Sequence, residues 1–295
     1  MIRVEAPAKL NLYLHVTGRR GDGYHELDSL VTFTALTDTM EIALADSLDL
    51  TVSGPFATAL GSGENLAAQA AAALAERLGR PAGVRIALHK RIPVAAGLGG
   101  GSADAAAVLR GLARLWRLDA KHDGDIREIA RRLGADVPVC LESSAAFMTG
   151  IGEVLSAPPP LPPCAVLLIN PNIPVPTGAI FAARRGPFSA ADPIRESPVD
   201  ASALAGLLLT RRNDLEQPAL AHAPEIGHVL ARLGEASGCL LARMSGSGGT
   251  CFGLFDGEAA AAGAARSIAC DRPDWWVCST RLVHERNGEL PERPA

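Results

Sequence analysis

The sequence predicts an α+β protein with two domains. Its 295 residues are enough to bury two cores of ordinary size. Side chains alternate between apolar and polar from residue 9 to residue 16, which is the period of a strand, whereas residues 105–116 carry apolar side chains at helical spacing. Proline is concentrated in APPPLPP at 157–163. We interpret that stretch as the boundary between a first domain, 1–153, and a second domain, 164–283.

The first domain reads as short strands interspersed with helices. The patterns predict strands at 9–16, 30–34, 40–44, 48–53 and 84–88, and helices at 65–78, 105–116 and 125–133. Gly79 and Gly134 follow two of these helices directly, and glycine is the residue that most readily ends a helix. The segment that follows Gly134 contains a proline and is not expected to continue the preceding helix.

The second domain also mixes strands and helices. Strands are predicted at 165–170, 239–244, 250–255 and 275–283, and helices at 177–184, 201–209, 226–233 and 258–268. This order suits a mostly antiparallel sheet with helices on one side. The polar residues 284–295 are expected to form a flexible tail.

Composition excludes several classes of function. The net charge is −4 and 20% of residues are charged, so there is no basic excess of the kind that nucleic-acid binding requires. No apolar run reaches the length of a membrane span, and the first residues lack the apolar core of a signal peptide. The six cysteines show no metal-binding spacing. We therefore expect a cytoplasmic protein with free thiols that binds neither nucleic acid nor membrane.

The most informative stretch is PVAAGLGGGSAD, from Pro93 to Asp104, between a predicted strand and the start of a helix. The first turn of a helix offers unsatisfied N–H groups and a positive dipole end, and glycine lets a ligand approach the backbone closely. The alternative is that the segment is a glycine-rich tight turn that binds no ligand. The number of glycines argues against this alternative, because a tight turn needs only one or two of them. No lysine follows the last glycine, which excludes a P-loop, and position 102 is serine, which weakens a dinucleotide-binding interpretation.

Two further features mark candidate sites. SGSGGT, from Ser245 to Thr250, lies between two predicted strands, and its spacing supports a hairpin loop and a second phosphate-binding loop equally well. Lysine is scarce, since Lys9, Lys90 and Lys121 stand among 28 lysines and arginines. Because lysine is such a scarce choice in this chain, we consider Lys9 and Lys90 as candidates for the site.

Together these segments resemble the motifs of the GHMP kinases in order and spacing. The resemblance is carried by PAKLNLYLHVTGRRGDGYHELDSL, PVAAGLGGGSADAAAVLRGL and RMSGSGGTCFGLF, and it extends from about residue 6 to residue 283. GDGYHELDS and LGADVPVC are similar to the branch of that family that phosphorylates a cytidine diphosphate derivative for isoprenoid synthesis. The resemblance implies a ribosomal-protein-S5-like N-terminal domain, a ferredoxin-like C-terminal domain and ATP as the phosphate donor.

The resemblance also implies the catalytic pair. The aspartate of the GADVP segment, Asp136, would act as the base, and the lysine of the PAKLN segment, Lys9, would assist it. A carboxylate can accept the hydroxyl proton, and a nearby ammonium favours the ionised acid. The local sequence alone supports another interpretation of each residue. Asp136 would be a carboxylate that caps a helix or stabilises a turn after Gly134, and Lys9 would be a solvated charge at the end of a strand.

For the substrate, the resemblance implies an aromatic site. Tyr24 and Phe181 would sandwich the cytosine ring, and His25 would bind the polar edge of that ring. Asn11 would orient the hydroxyl groups of the substrate, and Thr177 would contact the ligand. Phe181 is equally compatible with a core aromatic on a short helix.

For the nucleotide, the resemblance implies an adenine side and a phosphate side. The residues implied are Asn65, Leu66, Lys90 and Val94 on the adenine side, and Gly97, Leu98, Gly99, Gly100, Gly101, Ser102, Ser245, Gly246, Ser247 and Gly248 on the phosphate side. Mg²⁺ is expected with ATP, with Ser102 or Asp104 as its uncertain ligands. Asn65 is also compatible with a helix N-cap, and Asp104 with an ordinary partner of the helix dipole.

Two other functions are compatible with parts of the pattern. Another GHMP kinase, acting on homoserine or a mevalonate-type alcohol, would share the glycine-rich loop but would not need Tyr24, His25 and Phe181. A non-catalytic relative that binds nucleotide is expected to lack the acid, and Asp136 argues against it. The expected partners are therefore ATP and a small cytidine diphosphate derivative, with the chain a monomer or a weak homodimer.

Overall fold

The structure, a computed structural model, describes residues 1–61 and 65–283. A long hairpin forms its centre: β1, Ile2–Arg19, and β2, His25–Leu44, pair antiparallel over nearly their whole length. The turn between them is closed by a hydrogen bond from Arg20 N to Tyr24 O of 2.7 Å. The register of the pair shifts between Pro7 and Lys9 and again between Asn11 and Tyr13.

Four shorter strands extend the N-terminal half of the sheet. They are β3, Asp49–Ser53, β4, Val84–His89, β5, Ala146–Gly150, and β6, Val154–Ser156. Strands β4 and β5 pair antiparallel with β2, β3 pairs parallel with β4, and β6 pairs with β5. The helices of this half are α1, Leu66–Arg77, α2, Gly100–Leu115, α3, Asp123–Leu133, and α4, Val137–Glu142. Buried side chains of β2, β4, α1 and α2 share one hydrophobic core.

The C-terminal half is built on an antiparallel sheet. Its strands are β7, Ala165–Asn170, β8, Cys239–Met244, β9, Cys251–Phe255, and β10, Trp276–Val283. Its helices are α5, Thr177–Ala183, α6, Ala201–Leu209, α7, Glu216–His222, α8, Glu225–Gly234, and α9, Glu258–Asp271. The last residues of β10 pair with Thr34 and Phe33 of β2, and a second core contains side chains of both β1 and β7. The two halves are thus packed along the central hairpin.

The structure corrects several element predictions. The strands predicted at 30–34 and 40–44 are one strand, β2, because its central residues Thr32, Thr34 and Asp38 are buried although polar and so conceal the strand period. Helix α2 begins at Gly100, inside the stretch predicted as a loop, because the left-handed Gly99 is its N-cap. Helices α4 and α7 and strands β5 and β6 were not predicted.

Some predictions are not tested by the structure. Residues 157–164 form neither helix nor strand, and the division into domains 1–153 and 164–283 stays a prediction. The tail predicted at 284–295 lies outside the described residues. Over the ranges that are described, no helix is both long and apolar enough to cross a membrane.

Candidate active site

The chain between β4 and α2 forms an open N–H cradle. Gly97 and Gly99 adopt φ values of 72° and 63°, in the left-handed region that favours glycine. Helix α2 then starts with Gly100, Gly101 and Ser102, and all three line a cavity of about 520 Å³. The first N–H groups of a helix have no intrahelical acceptor and carry the positive end of the dipole. The geometry fits the predicted binding of an anionic group.

The cradle is held from the other side by the loop between β8 and β9. Thr250 N donates to Ala96 O at 3.0 Å, and Ser245 Oγ donates to Gly97 O at 3.0 Å. Gly246 and Ser247 line the same cavity. Strands β8 and β9 pair antiparallel, so the segment is a hairpin loop. The hairpin interpretation is therefore confirmed, and the loop also contacts the glycine turn and faces the cavity. That it binds phosphate stays a prediction.

Gly97→Ala is expected to destabilise the fold by about 3 kcal/mol or more and to weaken ADP binding. A Cβ at Gly97 would lie 2.6 Å from both Ser245 O and Gly248 O, and this clash with backbone adds to the cost of a left-handed alanine. Gly79 has φ of 61° with open space around its Cβ position, so Gly79→Ala is the matched control and is expected to cost about 1 kcal/mol. Urea unfolding and ADP titration measure both effects, and equal losses for the two variants would contradict the packing argument.

A buried ammonium and a partly exposed carboxylate meet beside the cradle. Lys9 Nζ lies 3.0 Å from Asp136 Oδ2 and donates to Asn11 Oδ1 at 2.8 Å. Asn11 in turn donates to Ser29 Oγ at 2.9 Å, which fixes its amide. Lys9 is 4% exposed, so the alternative of a solvated strand-end charge does not describe it. A Cβ at Gly99 would lie 3.1 Å from Lys9 Cε, so the pair lies directly against the glycine turn.

Asp136 is at the N-cap position of α4, yet its side chain makes no capping hydrogen bond. The carboxylate turns towards Lys9 and the cavity instead, and both residues line that cavity. The cap alternative is therefore correct for the backbone position of Asp136 and wrong for its side chain. A carboxylate with an ammonium on one side and a cavity on the other can accept a proton from a bound hydroxyl group.

Lys90 and Asp104 are placed differently from the prediction. Lys90 Nζ lies 2.7 Å from Asp104 Oδ2 and also contacts Asp38 Oδ2, and the three side chains are at most 3% exposed. A Cβ at Gly100 would lie 3.1 Å from Lys90 Nζ, so this cluster lies directly beneath the first turn of α2. Neither Lys90 nor Asp104 is part of the cavity lining. Their side chains bind each other, and their assignment to adenine and to a metal ion stays a prediction.

The electrostatics of this cluster follow from its burial. Burial raises the pKa of Asp104 to about 7, against the opposing charge of Lys90. Burial by itself would lower the pKa of Lys90, but the carboxylates of Asp104 and Asp38 raise it above its ordinary value. Asp38 also accepts hydrogen bonds from Arg91 N and Ile92 N, at 2.5 and 2.8 Å. The cluster thus ties the chain before the glycine turn to the helix after it.

The residues predicted to bind the nucleotide differ in whether they face the cavity. Leu66 lines the cavity, and its Cδ1 is 3.5 Å from the Cβ position of Gly101. Asn65 accepts a hydrogen bond from Ala67 N at 2.8 Å, so its side chain is the N-cap of α1. Leu98 is buried, and its carbonyl accepts from Lys9 N at 2.9 Å. Asn65 and Val94 of the predicted adenine side, and Leu98, Ser245 and Gly248 of the predicted phosphate side, are absent from the cavity lining.

A second cavity of about 540 Å³ continues the first. The residues common to both linings are Leu27, Ala135, Ile151, Thr177 and Phe181. Tyr24, which is 61% exposed, and His25 belong to the lining of the second cavity. The rings of His25 and Phe181 stack with their centroids 5.3 Å apart and their planes at 30°. The predicted aromatic residues are therefore together, and Phe181 faces a cavity rather than lying only in a core.

The surroundings of His25 favour its neutral imidazole form. Burial lowers its pKa below the ordinary 6.5, and the positive charges of Arg19 and Arg184 lower it further. A neutral imidazole has one ring nitrogen that donates and one that accepts. Next to it, Thr177 Oγ1 lies 2.8 Å from Ser247 Oγ, which links α5 to the loop between β8 and β9.

Sequence reasoning missed several residues of the site. Met148 and Ile151 line the first cavity but come from β5 and the turn after it, which carried no strand pattern that was recognised. Asn213 donates to Met244 O at 2.9 Å and to Gly246 O at 2.8 Å and so holds the loop between β8 and β9. No sequence pattern pointed to Asn213, because helix α7, which follows it, was not predicted. Among the described residues there is no group of three acidic, His or Cys side chains that could hold a metal ion.

Two family models match the chain. The model described as the GHMP kinases N terminal domain matches residues 65–154, and the model described as GHMP kinases C terminal matches residues 200–272. The first match contains the glycine turn and Asp136, and the second contains the loop between β8 and β9. The two matches lie on either side of the proline-rich stretch 157–163.

Curated relatives match over nearly the whole chain. A 4-diphosphocytidyl-2-C-methyl-D-erythritol kinase of Paramagnetospirillum magneticum is 51% identical over 280 residues, which cover 95% of this chain and 98% of the relative. The protein of the same name from Rhodospirillum rubrum is 50% identical, covering 94% of this chain and 91% of the relative. A crystal structure of a 4-(cytidine 5'-diphospho)-2C-methyl-D-erythritol kinase is similar with a TM-score of 0.77, at 38% identity, over 96% of this chain and 100% of that one.

The structure of a homoserine kinase from Cytophaga hutchinsonii is also similar, with a TM-score of 0.70 over 97% of this chain and 96% of that chain. Its sequence is 18% identical, so this likeness concerns the fold alone.

Proposed function

The chain belongs to the GHMP kinases, with their two-domain fold, and from that premise we propose the reaction. The protein is a small-molecule kinase that transfers the γ-phosphoryl group of ATP to the 2-hydroxyl of 4-diphosphocytidyl-2-C-methyl-D-erythritol, in the non-mevalonate pathway to isoprenoid precursors. The names of relatives about 50% identical over nearly the whole chain support this substrate. The observation that carries it in the structure is the continuity of the two cavities, one beside the N–H cradle and one lined by aromatic rings.

The donor is expected to be ATP with Mg²⁺. The N–H groups of Gly100, Gly101 and Ser102 would bind phosphate oxygens, because the first N–H groups of a helix have no intrahelical acceptor and all three residues line the cavity. The hydroxyl of Ser102 is the protein group best placed to bind the metal together with those oxygens. Asp104 does not fit this role, because Lys90 holds its carboxylate. Mg²⁺ would neutralise charge on the phosphates during the transfer.

The transfer itself needs a base for the acceptor hydroxyl. The hydroxyl oxygen forms a bond to the γ-phosphorus while the bond from that phosphorus to the bridging oxygen of ADP breaks. Asp136 accepts the hydroxyl proton, and Lys9 stabilises both the ionised Asp136 and the developing negative charge on the attacking oxygen. The distance of 3.0 Å between Lys9 Nζ and Asp136 Oδ2 supports this division of roles. Asn11, fixed by Ser29, would orient the acceptor hydroxyls.

The acceptor's cytosine ring would bind in the second cavity. Tyr24 and Phe181 supply aromatic faces for stacking, which accepts any base. His25 can both donate and accept at the edge of the ring, so it would supply much of the selectivity. Homoserine and mevalonate have no ring that would use these three residues. The protein would act in the cytoplasm as a monomer or weak homodimer, without nucleic acid or membrane.

A substrate panel tests the proposed reaction. Purified protein is incubated with Mg-ATP and, in separate reactions, with the cytidylyl substrate, homoserine or mevalonate, and ADP release is followed. We expect turnover with the cytidylyl substrate and only background with the other two alcohols. Turnover of homoserine or mevalonate without turnover of the cytidylyl substrate would show that the chain is another kinase of the same fold.

Tyr24→Ala is expected to raise the KM for the cytidylyl substrate about 5- to 150-fold and to leave the KM for ATP within about twofold, because stacking on a base contributes about 1–3 kcal/mol. Phe188→Ala is the matched control, since Phe188 is another exposed aromatic, at 49%, outside both cavities. Initial rates at varied concentrations of each substrate give both constants. An equal loss for ATP and the acceptor would contradict a cytosine platform.

A further inference from the structure

Arg110 is a buried cation that connects three elements of the first half. It lies on the inner face of α2 and is 3% exposed. Its Nη1 donates to Cys140 O at 2.7 Å, to Ser143 Oγ at 3.1 Å and, at a longer 3.4 Å, to Leu141 O. Its Nη2 donates to Glu5 O of β1 at 2.8 Å. One guanidinium therefore joins α2, the end of α4 and β1.

The charge of Arg110 is balanced by backbone rather than by an acid. Among the described residues, no carboxylate lies within ion-pair distance of its guanidinium. Burial lowers the pKa of Arg110 to about 10, so the group remains charged at neutral pH. The carbonyl groups at the C-terminus of a helix carry negative partial charge and lack intrahelical donors. Arg110 thus supplies both a cation and donors to the end of α4.

Helix α4 needs such support. It runs only from Val137 to Glu142, and a helix of this length is not stable by itself in water. At its N-terminus the side chain of Asp136 makes no capping hydrogen bond, because its carboxylate pairs with Lys9. At its C-terminus the polar restraints on α4 include the buried contacts with Arg110 and the partly exposed ion pair of Arg127 with Glu142.

The same three elements carry the three parts of the proposed reaction site. Helix α2 begins at the glycine turn, β1 carries Lys9 shortly after Glu5, and Asp136 directly precedes α4. We propose that Arg110 is a positioning residue that fixes Asp136 relative to Lys9 and to the phosphate cradle by clamping the end of α4 to α2 and β1. This inference rests on the proposed function, because its effect on kcat can be measured only if the protein catalyses that reaction. The restraint on α4 can be tested without the proposed function.

The catalytic test compares three variants of the full chain. Arg110→Gln removes the charge and most donors, Arg110→Lys keeps the charge, and Leu112→Ala damages the core from the same helix without removing a hydrogen bond. Because a misplacement of about 1 Å can cost about 100-fold in rate, we expect Arg110→Gln to lower kcat about 100-fold with the KM for ATP within about twofold. Arg110→Lys is expected to recover about tenfold of that loss, and Leu112→Ala to lower Tm with kcat within about twofold.

Hydrogen exchange provides the readout that does not depend on substrate. Amides of α4 should exchange at least about tenfold faster in Arg110→Gln than in the wild type, whereas amides of α1 should not, and Leu112→Ala should not single out α4. If α4 exchanges at the same rate in Arg110→Gln as in the wild type, the inference that Arg110 restrains α4 is wrong. If α4 exchanges faster in Arg110→Gln but kcat equals that of the wild type, the inference that Arg110 positions Asp136 is wrong. If Arg110→Gln does not fold, the same two measurements on Arg110→Lys test the inference. We then expect a lower kcat and faster exchange of α4 in Arg110→Lys than in the wild type.

Failure of the two proposals is distinguishable. A wild-type protein that does not phosphorylate the cytidylyl substrate removes the proposed function, and the exchange of α4 then still decides whether Arg110 restrains that helix. A wild-type protein that is active, with Arg110→Gln equal to it in kcat and in α4 exchange, leaves the function in place and removes the inference about Arg110.

Discussion

Replacing Asp136 by Asn is expected to lower kcat by about 10²- to 10⁴-fold, the range that a positioned general base contributes. The amide has nearly the same shape and its oxygen can still accept a hydrogen bond from Lys9, but it cannot take the proton of the acceptor hydroxyl. Since Asp136 lies at the side of the cradle and contributes none of its N–H groups, ADP binding should stay within about twofold. Steady-state rates and an ADP titration measure the two quantities.

The matched control for that variant is Asp200→Asn. Asp200 is also an N-cap aspartate, and it accepts a hydrogen bond from Ala203 N at 2.7 Å at the start of α6, outside both cavities. Asparagine caps helices as well as aspartate does, so this variant should keep its rate and stability. A near-normal kcat for Asp136→Asn would contradict the proposal that Asp136 is the base, whatever result the control variant gives.

Replacing Lys9 by Met is expected to lower kcat by at least about 10²-fold, which is the effect of removing one preorganised group from a developing negative charge. The change removes a buried ammonium and leaves Asp136 Oδ2 and Asn11 Oδ1 without their common donor. Lys9→Arg should not restore the rate. Lys9 is buried and its ammonium lies between Asp136 Oδ2 and Asn11 Oδ1, and the larger, planar guanidinium cannot take the place of that compact charge without moving one of these partners.

Lys121→Met is the control for Lys9→Met, because the Lys121 side chain is 73% exposed and pairs with the surface acid Asp119. It should change neither kcat nor stability measurably. The double variant with Lys9→Met and Asp136→Asn should be little slower than the slower single variant, since the two groups act on one proton transfer. Fully multiplicative losses would mean that Lys9 and Asp136 act independently.

The sequence predicted those parts of the site that depend on local pattern. Alternation in β1 placed Lys9 and Asn11 on one side of a strand, and their side chains are indeed bonded to each other. The glycines before α2 predicted an open N–H cradle, because few other local structures need them. The prediction and the structure agree here because both features are local. Neighbouring residues determine the strand face that Lys9 and Asn11 share, and the φ values of the glycines determine the N–H cradle.

Other parts of the site depend on contacts that no local pattern contains. The contacts of Lys90 with Asp104 and with Asp38 are one example, because Asp38 is 52 residues from Lys90 along the chain. Asp136 read locally as a cap, and only the family resemblance pointed to its pairing with Lys9. Arg110 carried no signal at all, because a single arginine in an amphipathic helix normally faces solvent.

The atom that receives phosphate is the most direct measure of the proposed function. Product formed from the cytidylyl substrate and Mg-ATP by the wild-type protein is analysed by phosphorus and carbon NMR, alongside quantified ADP. We expect one new phosphomonoester, in an amount equal to that of ADP. Its phosphorus signal should show coupling to the carbon that bore the 2-hydroxyl. Phosphate on another hydroxyl, or ADP accompanied only by inorganic phosphate, would contradict a site in which Asp136 activates that hydroxyl beside the phosphate cradle.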